Sequence, residues 1–247
     1  LTIRNSNLLA GYYDGALTYS IDHVRIIDSN FSGTNEYGAY FWHTSSDDNK
    51  NWTITNTTFT GGITASDYGM RASYLDDWNI TNCTFNGGTF TGNYGYGANI
   101  AYINDSIIDS SIFVGGGTDR DRGLYVQYGD NLTIKNNWFE DSQNDYPAGE
   151  FYGVDNSNIS NNTFTAPLTY AAGFNYYSSD NIFENNNLTS ARGIYLQTYS
   201  ADNNITNNHI LSDTTYGIYM NNYATGNRIE NNNITSYSYT IYLNSYC

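Results

Sequence analysis

Apolar and polar positions along the chain follow a short repeating pattern. The pattern is apolar-x-Asn/Asp-x-x-apolar, and its copies are spaced by 22 to 28 residues. The ten copies are Ile3-Asn5-Leu8, Ile26-Asp28-Phe31, Ile54-Asn56-Phe59, Ile80-Asn82-Phe85, Ile107-Asp109-Ile112, Ile134-Asn136-Phe139, Ile159-Asn161-Phe164, Phe183-Asn185-Leu188, Ile205-Asn207-Ile210 and Ile229-Asn231-Ile234. A second segment follows each copy, usually begins with Gly and alternates apolar with polar residues. Such alternation is typical of a strand that is buried on one face.

A unit of this length cannot bury its apolar face alone, so each unit must stack on its neighbours as one coil of a solenoid. We therefore predict an all-β fold, a single-stranded right-handed parallel β-helix of about ten coils, with one domain over residues 1–247. The repeated Asn or Asp is expected at a turn, because its side chain tolerates the left-handed backbone and can bond its amide to the copies above and below.

Two segments carry a resemblance to a known family, namely Asn204-Ile205-Thr206-Asn207-Asn208 and Gly217-Ile218-Tyr219-Met220. They resemble the right-handed parallel β-helix repeat family, which includes NosD-type periplasmic proteins, pectate-lyase-like domains and repeats of archaeal surface proteins. The resemblance covers nearly the whole chain and implies the fold. It implies no single function, because one fold supports many sites.

Composition and charge exclude two classes of partner. Nine Lys and Arg stand against 24 Asp and Glu, giving a net charge of −15, which repels nucleic acid and anionic membranes. We expect no nucleic-acid partner. No apolar run approaches the roughly 20 residues of a membrane-spanning helix, so no membrane insertion is expected.

Sequons for N-glycosylation are dense along the chain. The candidates are Asn30, Asn51, Asn79, Asn104, Asn131, Asn158, Asn187, Asn204 and Asn233. They favour an extracellular, cell-surface glycoprotein, although any repeat rich in Asn and Thr creates sequons by composition alone. Asn56, Asn82 and Asn161 are expected in the stacked turn and unmodified, whereas Asn79, Asn131, Asn158 and Asn204 are expected to face solvent.

An aromatic stripe is predicted two residues after each Gly, where side chains should point outward. Its members are Tyr40, Tyr125, Phe151, Tyr195, Tyr219 and Tyr242. Such a stripe can stack on the sugars of a linear glycan, form a protein interface, or only stabilise the sheet through contacts between coils.

Longer loops in coils 3 to 7 predict a wall at the middle of the rod. Its acidic residues are Asp119, Asp121, Glu140, Asp141 and Asp145. We expect solvated carboxylates here; a carboxylate pair for glycan chemistry and a structural calcium ion among Asp119, Asp121 and Asp145 are the alternatives. The motif series of polygalacturonases is missing from the sequence, so catalysis is not expected. The three histidines share no spacing, so no metal cofactor is expected at His23, His43 and His209.

The two cysteines lie six coils apart and cannot pair within one rod, because bridged Cα atoms lie under about 7 Å apart. Cys83 and Cys247 are therefore candidates for intermolecular disulfides; a buried free Cys83 with a free Cys247 is the alternative. The first and last coils show no obvious cap, which predicts self-association end to end into a homopolymer.

Together these patterns favour an extracellular structural protein of a cell-surface layer, sheath or filament that self-assembles. The alternative from a different class is a polysaccharide-binding or polysaccharide-modifying β-helix.

Overall fold

The computed structural model describes residues 1–10, 14–19, 21–42, 50–63, 67–88, 94–117, 121–141 and 146–247. Within these ranges all regular secondary structure consists of β-strands, and every strand pairing is parallel. The predicted all-β parallel solenoid is confirmed. No helix in the same ranges is long and apolar enough to span a membrane.

Each coil contributes three strands, here called first, second and third and numbered β1–β28 in chain order. The first strands form a ten-stranded sheet. They are β1 Thr2–Arg4, β4 Arg25–Ile27, β7 Thr53–Thr55, β10 Asn79–Thr81, β13 Ile107–Asp109, β16 Thr133–Lys135, β19 Asn158–Ser160, β21 Ile182–Glu184, β23 Asn204–Thr206 and β26 Arg228–Glu230.

The second and third strands share an 18-stranded sheet. The second strands are β2 Asn7–Ala10, β5 Asn30–Gly33, β8 Thr58–Thr60, β11 Thr84–Asn86, β14 Ile112–Val114, β17 Trp138–Glu140, β24 His209–Ser212 and β27 Asn233–Ser236. The third strands are β3 Leu17–Tyr19, β6 Ala39–Trp42, β9 Met70–Asp76, β12 Ala98–Asn104, β15 Leu124–Asp130, β18 Gly149–Asp155, β25 Tyr216–Met220 and β28 Tyr239–Leu243. In two coils one long strand covers both positions, β20 Thr163–Asn175 and β22 Asn187–Leu196.

The core consists of columns in which like side chains stack from coil to coil. The first strands supply a column of Ile that runs through Ile26, Ile54 and Ile80 at full burial. The second strands supply a column of Phe, whose rings stack with centroids 4.6 Å apart between Phe85 and Phe113. Each coil thus buries its apolar face only against the neighbouring coils, which explains the strict repeat in the sequence.

Left-handed backbone occurs at the turn after each first strand, as predicted for the repeated Asn. Asn56 has φ 50° and Asn161 has φ 56°. The buried amide ladder, however, lies one residue later, where Asn162 donates to Oδ1 of Asn186 over 3.1 Å and Asn186 donates to Asn208 over 3.1 Å. At the repeated position itself the amide also bonds between coils as predicted, since Asn56 donates to Oδ1 of Asp28 over 3.0 Å and Asn136 donates to Oδ1 of Asp109 over 2.8 Å. Asn56, Asn82 and Asn161 themselves are exposed.

Three coils depart from the predicted register, and in coil 7 Gly173 pairs with Glu150 and takes the outward position. In coil 5 the buried residues are Ile108 and Phe113, and Ser110 adopts the left-handed turn, because Ile107 and Ile112 point outward. In coil 6 Gly149 pairs with Leu124 and continues a core column. The outward position of that coil is consequently Glu150.

Candidate functional site

The outward face of the third strands carries most of the predicted aromatic stripe. The residues at this position are Leu17, Tyr40, Arg71, Asn99, Tyr125, Glu150, Gly173, Tyr195, Tyr219 and Tyr242. One prediction was wrong, because Phe151 is 0% exposed and belongs to the core column with Phe174. Tyr195 lies at the predicted outward position but is only 7% exposed, because its ring covers Gly173 and its hydroxyl bonds to Glu150. Tyr40, Tyr125, Tyr219 and Tyr242 are half-buried.

A second aromatic column, here called the tyrosine ladder, lies near the ends of the third strands or in the turn directly after them. Its members are Tyr74, Tyr102, Tyr128, Tyr152, Tyr176, Tyr177, Tyr199, Tyr223 and Tyr246. Tyr74 and Tyr102 stack at 4.6 Å between centroids with 7° between planes. All but Tyr152 have positive φ, which is uncommon for so large a residue.

Sequence reasoning missed this ladder, although a signal exists. Tyr74, Tyr102 and Tyr128 each follow a Gly by five residues. Counting alternate residues from that Gly assigns position five to the inward set, because a regular strand turns positions two and four outward. The left-handed residue breaks the alternation. Tyr102, and the residue after the left-handed position, which is Leu75 or Ile103, therefore lie on the faces opposite to those that regular alternation assigns.

The tyrosine ladder forms one side of a cleft that crosses β6, β9, β12 and β15. The cleft consists of two adjoining hollows of about 270 and 120 Å³ that share Tyr74 and Tyr102. We call it the aromatic cleft, lined by Tyr40, Trp42, Arg71, Ala72, Ser73, Tyr74, Leu75, Asp76, Asn99, Ala101, Tyr102, Asn104, Gln127 and Tyr128. It runs along the rod axis, because its lining residues recur in successive coils.

Polar groups lie along the floor and one side of the aromatic cleft. Gln127 donates its amide to Oδ1 of Asn99 over 2.8 Å, and Ser73 and Ala101 keep the floor low because they are small. Arg71 donates to the hydroxyl of Tyr37 over 3.2 Å, and its guanidinium lies 5.2 Å from the ring centroid of Tyr40. These contacts hold a positive charge at one side of the cleft.

A buried ion pair supports the cleft from the loop wall. Nε of Arg122 donates to Oε2 of Glu150 over 2.6 Å, and Tyr195 donates its hydroxyl to Oε1 of Glu150 over 2.7 Å. Arg122 also bonds the hydroxyl of Tyr96 and lies 4.2 Å from the ring centroid of Tyr125. Burial, and then the charge of Glu150, raise the pKa of Tyr195 well above its ordinary value. The cluster fixes Tyr125, which stands beside the cleft.

The predicted acidic wall is not a solvated cluster where the structure describes it. Asp121 and Asp141 are 0% exposed, and Asp121 accepts a hydrogen bond from the backbone of Gly95 over 3.0 Å. Glu140 is half-buried on a different strand and accepts from the indole of Trp138. Asp119, Asp145 and His43 lie outside the described residues. Within the described ranges, no three His, Cys, Asp or Glu residues are grouped to hold a metal ion.

An acidic column borders the tyrosine ladder instead. Asp76, Asn104, Asp130 and Asp155 occupy one position in successive coils. Burial, and then repulsion from Asp130 and Asp180, raise the pKa of Asp155 against a backbone hydrogen bond from Ser179 that lowers it. One edge of the ladder therefore carries carboxylates in coils 3, 5 and 6.

The glycosylation candidates fall into two groups by exposure. Asn30, Asn51, Asn79, Asn131, Asn187 and Asn233 are exposed, whereas Asn104, Asn158 and Asn204 are half-buried. The amide oxygens of Asn158 and Asn204 are buried within the coil stack. These two side chains, which were expected to face solvent, are therefore only partly accessible.

The two cysteines differ in access. Cys83 is 1% exposed and its Sγ lies against the carbonyl oxygens of Ile54 and Thr81. Burial raises the pKa of this thiol to about 11. A disulfide from Cys83 to another molecule would require its coil to open, so burial argues against that pairing. Cys247 is exposed, and its pairing stays a prediction.

Comparison with known families agrees with the fold. The family described as a right-handed beta helix region matches residues 14–167 and again residues 123–247. These matches span most of the chain, and the protein belongs to this family. A comparison with curated proteins gives no significant match.

Several solved structures are similar in fold at low sequence identity. PfbA, a surface adhesin of Streptococcus pneumoniae, is 12% identical with a TM-score of 0.55, covering 84% of this chain and 59% of PfbA. A double mutant of the periplasmic alginate epimerase AlgG is 13% identical with a TM-score of 0.62, covering 97% and 68%. The Dettilon tailspike protein is 13% identical with a TM-score of 0.57, covering 98% and 60%. At these identities the likeness establishes the fold alone.

Proposed function

We propose that the protein is a surface-exposed β-helix that binds an uncharged linear glycan in the aromatic cleft. The observation that carries this proposal is a cleft along the rod axis with tyrosine hydroxyls on one side and amides on its floor. Grooves with aromatic walls and a few placed polar groups are typical ligand sites. This function is the alternative that the sequence predicted, and the geometry of the third-strand face favours it.

The tyrosine ladder presents edges and hydroxyls to the cleft. Tyr74, Tyr102 and Tyr128 lie nearly parallel and one coil apart, so their ring faces cover one another. The exposed parts are the ring edges and the phenol hydroxyls, repeated at about 4.8 Å. A glycan whose hydroxyls recur along a straight chain can accept and donate hydrogen bonds at each coil.

Charge favours an uncharged ligand. The protein carries a net charge of −15, and Asp76, Asp130 and Asp155 border the ladder. A polyanion following this edge would meet repulsion at each of these three carboxylates. Arg71 is positive but lies at one side of the cleft only, where it can donate a hydrogen bond to an oxygen of a neutral sugar.

The lining favours binding over acid–base cleavage. Among the described residues that line the aromatic cleft, Asp76 is the only carboxylate, and its Oδ2 lies 3.7 Å from the ammonium of Lys50. Most glycosidases use two carboxylates on opposite sides of the bond. A binding role also agrees with a surface adhesin, which PfbA is, and an extracellular or envelope location is part of this proposal.

A binding screen tests the proposal. Affinity electrophoresis with mixed-linkage β-glucan, xylan, mannan and polygalacturonate should retard the protein in at least one neutral gel and not in the polygalacturonate gel. Short oligomers of the retarding polymer are then titrated, with the tryptophan fluorescence of Trp138→Phe as readout, because Trp42 lines the cleft. No retardation in any neutral gel would overturn the proposal.

Two matched variants locate the binding. Tyr102→Asn removes a ring from the cleft, whereas Tyr223→Asn removes a ring from the part of the ladder outside the cleft. Both tyrosines are 43% exposed and have a positive φ, which Asn tolerates. Tyr102→Asn should raise the Kd for a short oligomer by about tenfold or more. Tyr223→Asn should leave that Kd unchanged. Equal effects of the two variants would place the short oligomer outside the cleft.

A further inference from the structure

The tyrosine ladder continues beyond the aromatic cleft through coils 7 to 10. Tyr177, Tyr199, Tyr223 and Tyr246 stack in sequence with centroids 5.0, 5.0 and 4.7 Å apart and 3 to 6° between planes. Each is exposed by 43% or more. Ring edges and hydroxyls are thus presented at the same coil spacing as in the cleft.

A row of amides accompanies this second part of the ladder. Gln127 on the cleft floor pairs in register with Tyr152, and Tyr152 with Asn175. The row then continues through Gln197, Asn221 and Asn244, whose backbone N–H groups bond to the preceding coil. A row of tyrosine hydroxyls beside a row of amide side chains is thus found both in the cleft and outside it.

The two parts of the ladder meet at coil 6, where the column turns. The left-handed position there is Gly153, which has φ 63° and brings no ring. Tyr152 fills the gap from the preceding position, at 87° to the ring of Tyr128 but parallel to that of Tyr176, 4.6 Å away. The ladder consequently has two straight segments, Tyr74 to Tyr128 and Tyr177 to Tyr246.

We propose that these segments form one track on which a single glycan chain lies parallel to the rod axis. This inference rests on the proposed function and deepens it. It names the ligand as a long linear polysaccharide with a repeating sugar unit, in contrast to a short oligosaccharide. The first segment spans two coil steps, about 10 Å, and the distance from Tyr74 to Tyr246 is seven steps, about 34 Å. A chain that reaches both segments gains avidity over one held in the cleft alone.

The test compares a short oligomer with the polymer on a variant outside the cleft. The short oligomer is one that fills the aromatic cleft, and the polymer is the neutral polysaccharide that retards the protein. The double variant Tyr199→Asn/Tyr223→Asn should raise the Kd for the polymer by about tenfold or more. Its Kd for the short oligomer, read at Trp42, should not change.

Matched controls separate this inference from the proposed function. Tyr237→Asn removes an 81% exposed tyrosine that lies off the ladder and should change neither affinity. Tyr199→Phe/Tyr223→Phe keeps the stacked rings and removes only the hydroxyls, so it tests the track even if the Asn variant folds poorly; it should weaken polymer binding in the same direction.

Each outcome decides one point. Unchanged polymer affinity in both double variants, with weaker binding by Tyr102→Asn, overturns the track and leaves the proposed function standing. Equal weakening by Tyr237→Asn also overturns the track, because the effect is then not specific to the ladder. An unaffected short oligomer in Tyr102→Asn overturns the proposed function itself.

Discussion

Arg122 and Glu150 form an ion pair between neighbouring coils while both side chains are nearly completely buried, at 4% and 3% exposure. A charge in such a place is tolerated only with its partner, since its desolvation is otherwise uncompensated. The pair joins the loop wall to the sheet face beneath it, and Tyr96, Tyr125 and Tyr195 enclose it.

Removal of one partner of this pair should destabilise the protein strongly. Glu150→Gln or Arg122→Met should lower the free energy of unfolding by about 3–5 kcal/mol. The double variant should lose less than the sum of the two, because it leaves no unpaired buried charge. Urea unfolding measures all three, and strictly additive losses would contradict the coupling.

The exposed pair Arg228 and Glu230 provides the control. Its side chains are largely exposed to solvent, where an ion pair contributes little. Glu230→Gln should leave the urea midpoint unchanged. A loss comparable to that of Glu150→Gln would mean that burial is not the cause.

Alkaline pH should destabilise the protein through Cys83. Burial raises the pKa of its thiol to about 11 from the 9.0 of an exposed thiol. The unfolded chain therefore releases this proton first as pH rises, so the contribution of Cys83 to stability is constant below pH 9 and falls between pH 9 and 11. The fall should total about 2–3 kcal/mol.

Cys83→Ala isolates this effect from that of the buried tyrosines. The difference in unfolding free energy between the protein and this variant should shrink from pH 9 to pH 11. A thiol reagent should also leave Cys83 of the folded protein unmodified while it labels Cys247. Parallel pH profiles of the two proteins would show that Cys83 ionises equally in both states.

The buried amide ladder should be a further source of stability. Asn186 donates to Asn208 and to the carbonyl of Ile159, and it accepts from the backbone of Asn162 over 2.8 Å. Asn186→Ala leaves these buried groups without partners and should cost about 3 kcal/mol in urea unfolding. The exposed neighbour offers the control, and Asn187→Ala should change stability by less than about 0.5 kcal/mol.

The coil repeat was predictable because stacked units impose the same constraint on each sequence copy. The apolar anchor, the turn residue and the second apolar residue recur where Ile54, Asn56 and Phe59 lie, and burial confirms the two anchors. Register failed where the pattern is degenerate: Ile107 and Ile108 are equally apolar, and only packing against the neighbouring coils decides which is buried.

The candidate site was predictable only in part, for a geometric reason. Tyr40 and Tyr125 lie at the outward position as expected. The tyrosine ladder depends on left-handed backbone at residues such as Tyr102, a conformation that tyrosine rarely adopts and that composition does not reveal. The pair of Arg122 with Glu150 joins different coils, and its burial depends on loop packing.

Glycan occupancy should follow exposure of the sequons. In a host that performs N-glycosylation, Asn79 and Asn187 should be modified, whereas Asn158 and Asn204 should not, because neighbouring coils bury their amide oxygens. Peptide mass spectrometry measures the occupancy. Modification of Asn158 with the fold retained would contradict this assignment.

Self-assembly into a layer, sheath or filament stays a prediction from the sequence. Electron microscopy of the purified protein measures it directly, with ordered polymers as the supporting result. Separate rods at high protein concentration would contradict it.

The most direct test of glycan binding uses Trp42. Of the four tryptophans, Trp52 and Trp78 are 1% exposed and Trp138 is 44% exposed, so in Trp138→Phe only Trp42 remains within reach of a quencher. Acrylamide quenching of this variant is measured with and without a neutral oligomer of the polymer that retards the protein. Binding in the aromatic cleft predicts that the oligomer reduces quenching and that Tyr102→Asn abolishes this protection. Unchanged quenching at an oligomer concentration that saturates binding would contradict the cleft as the site.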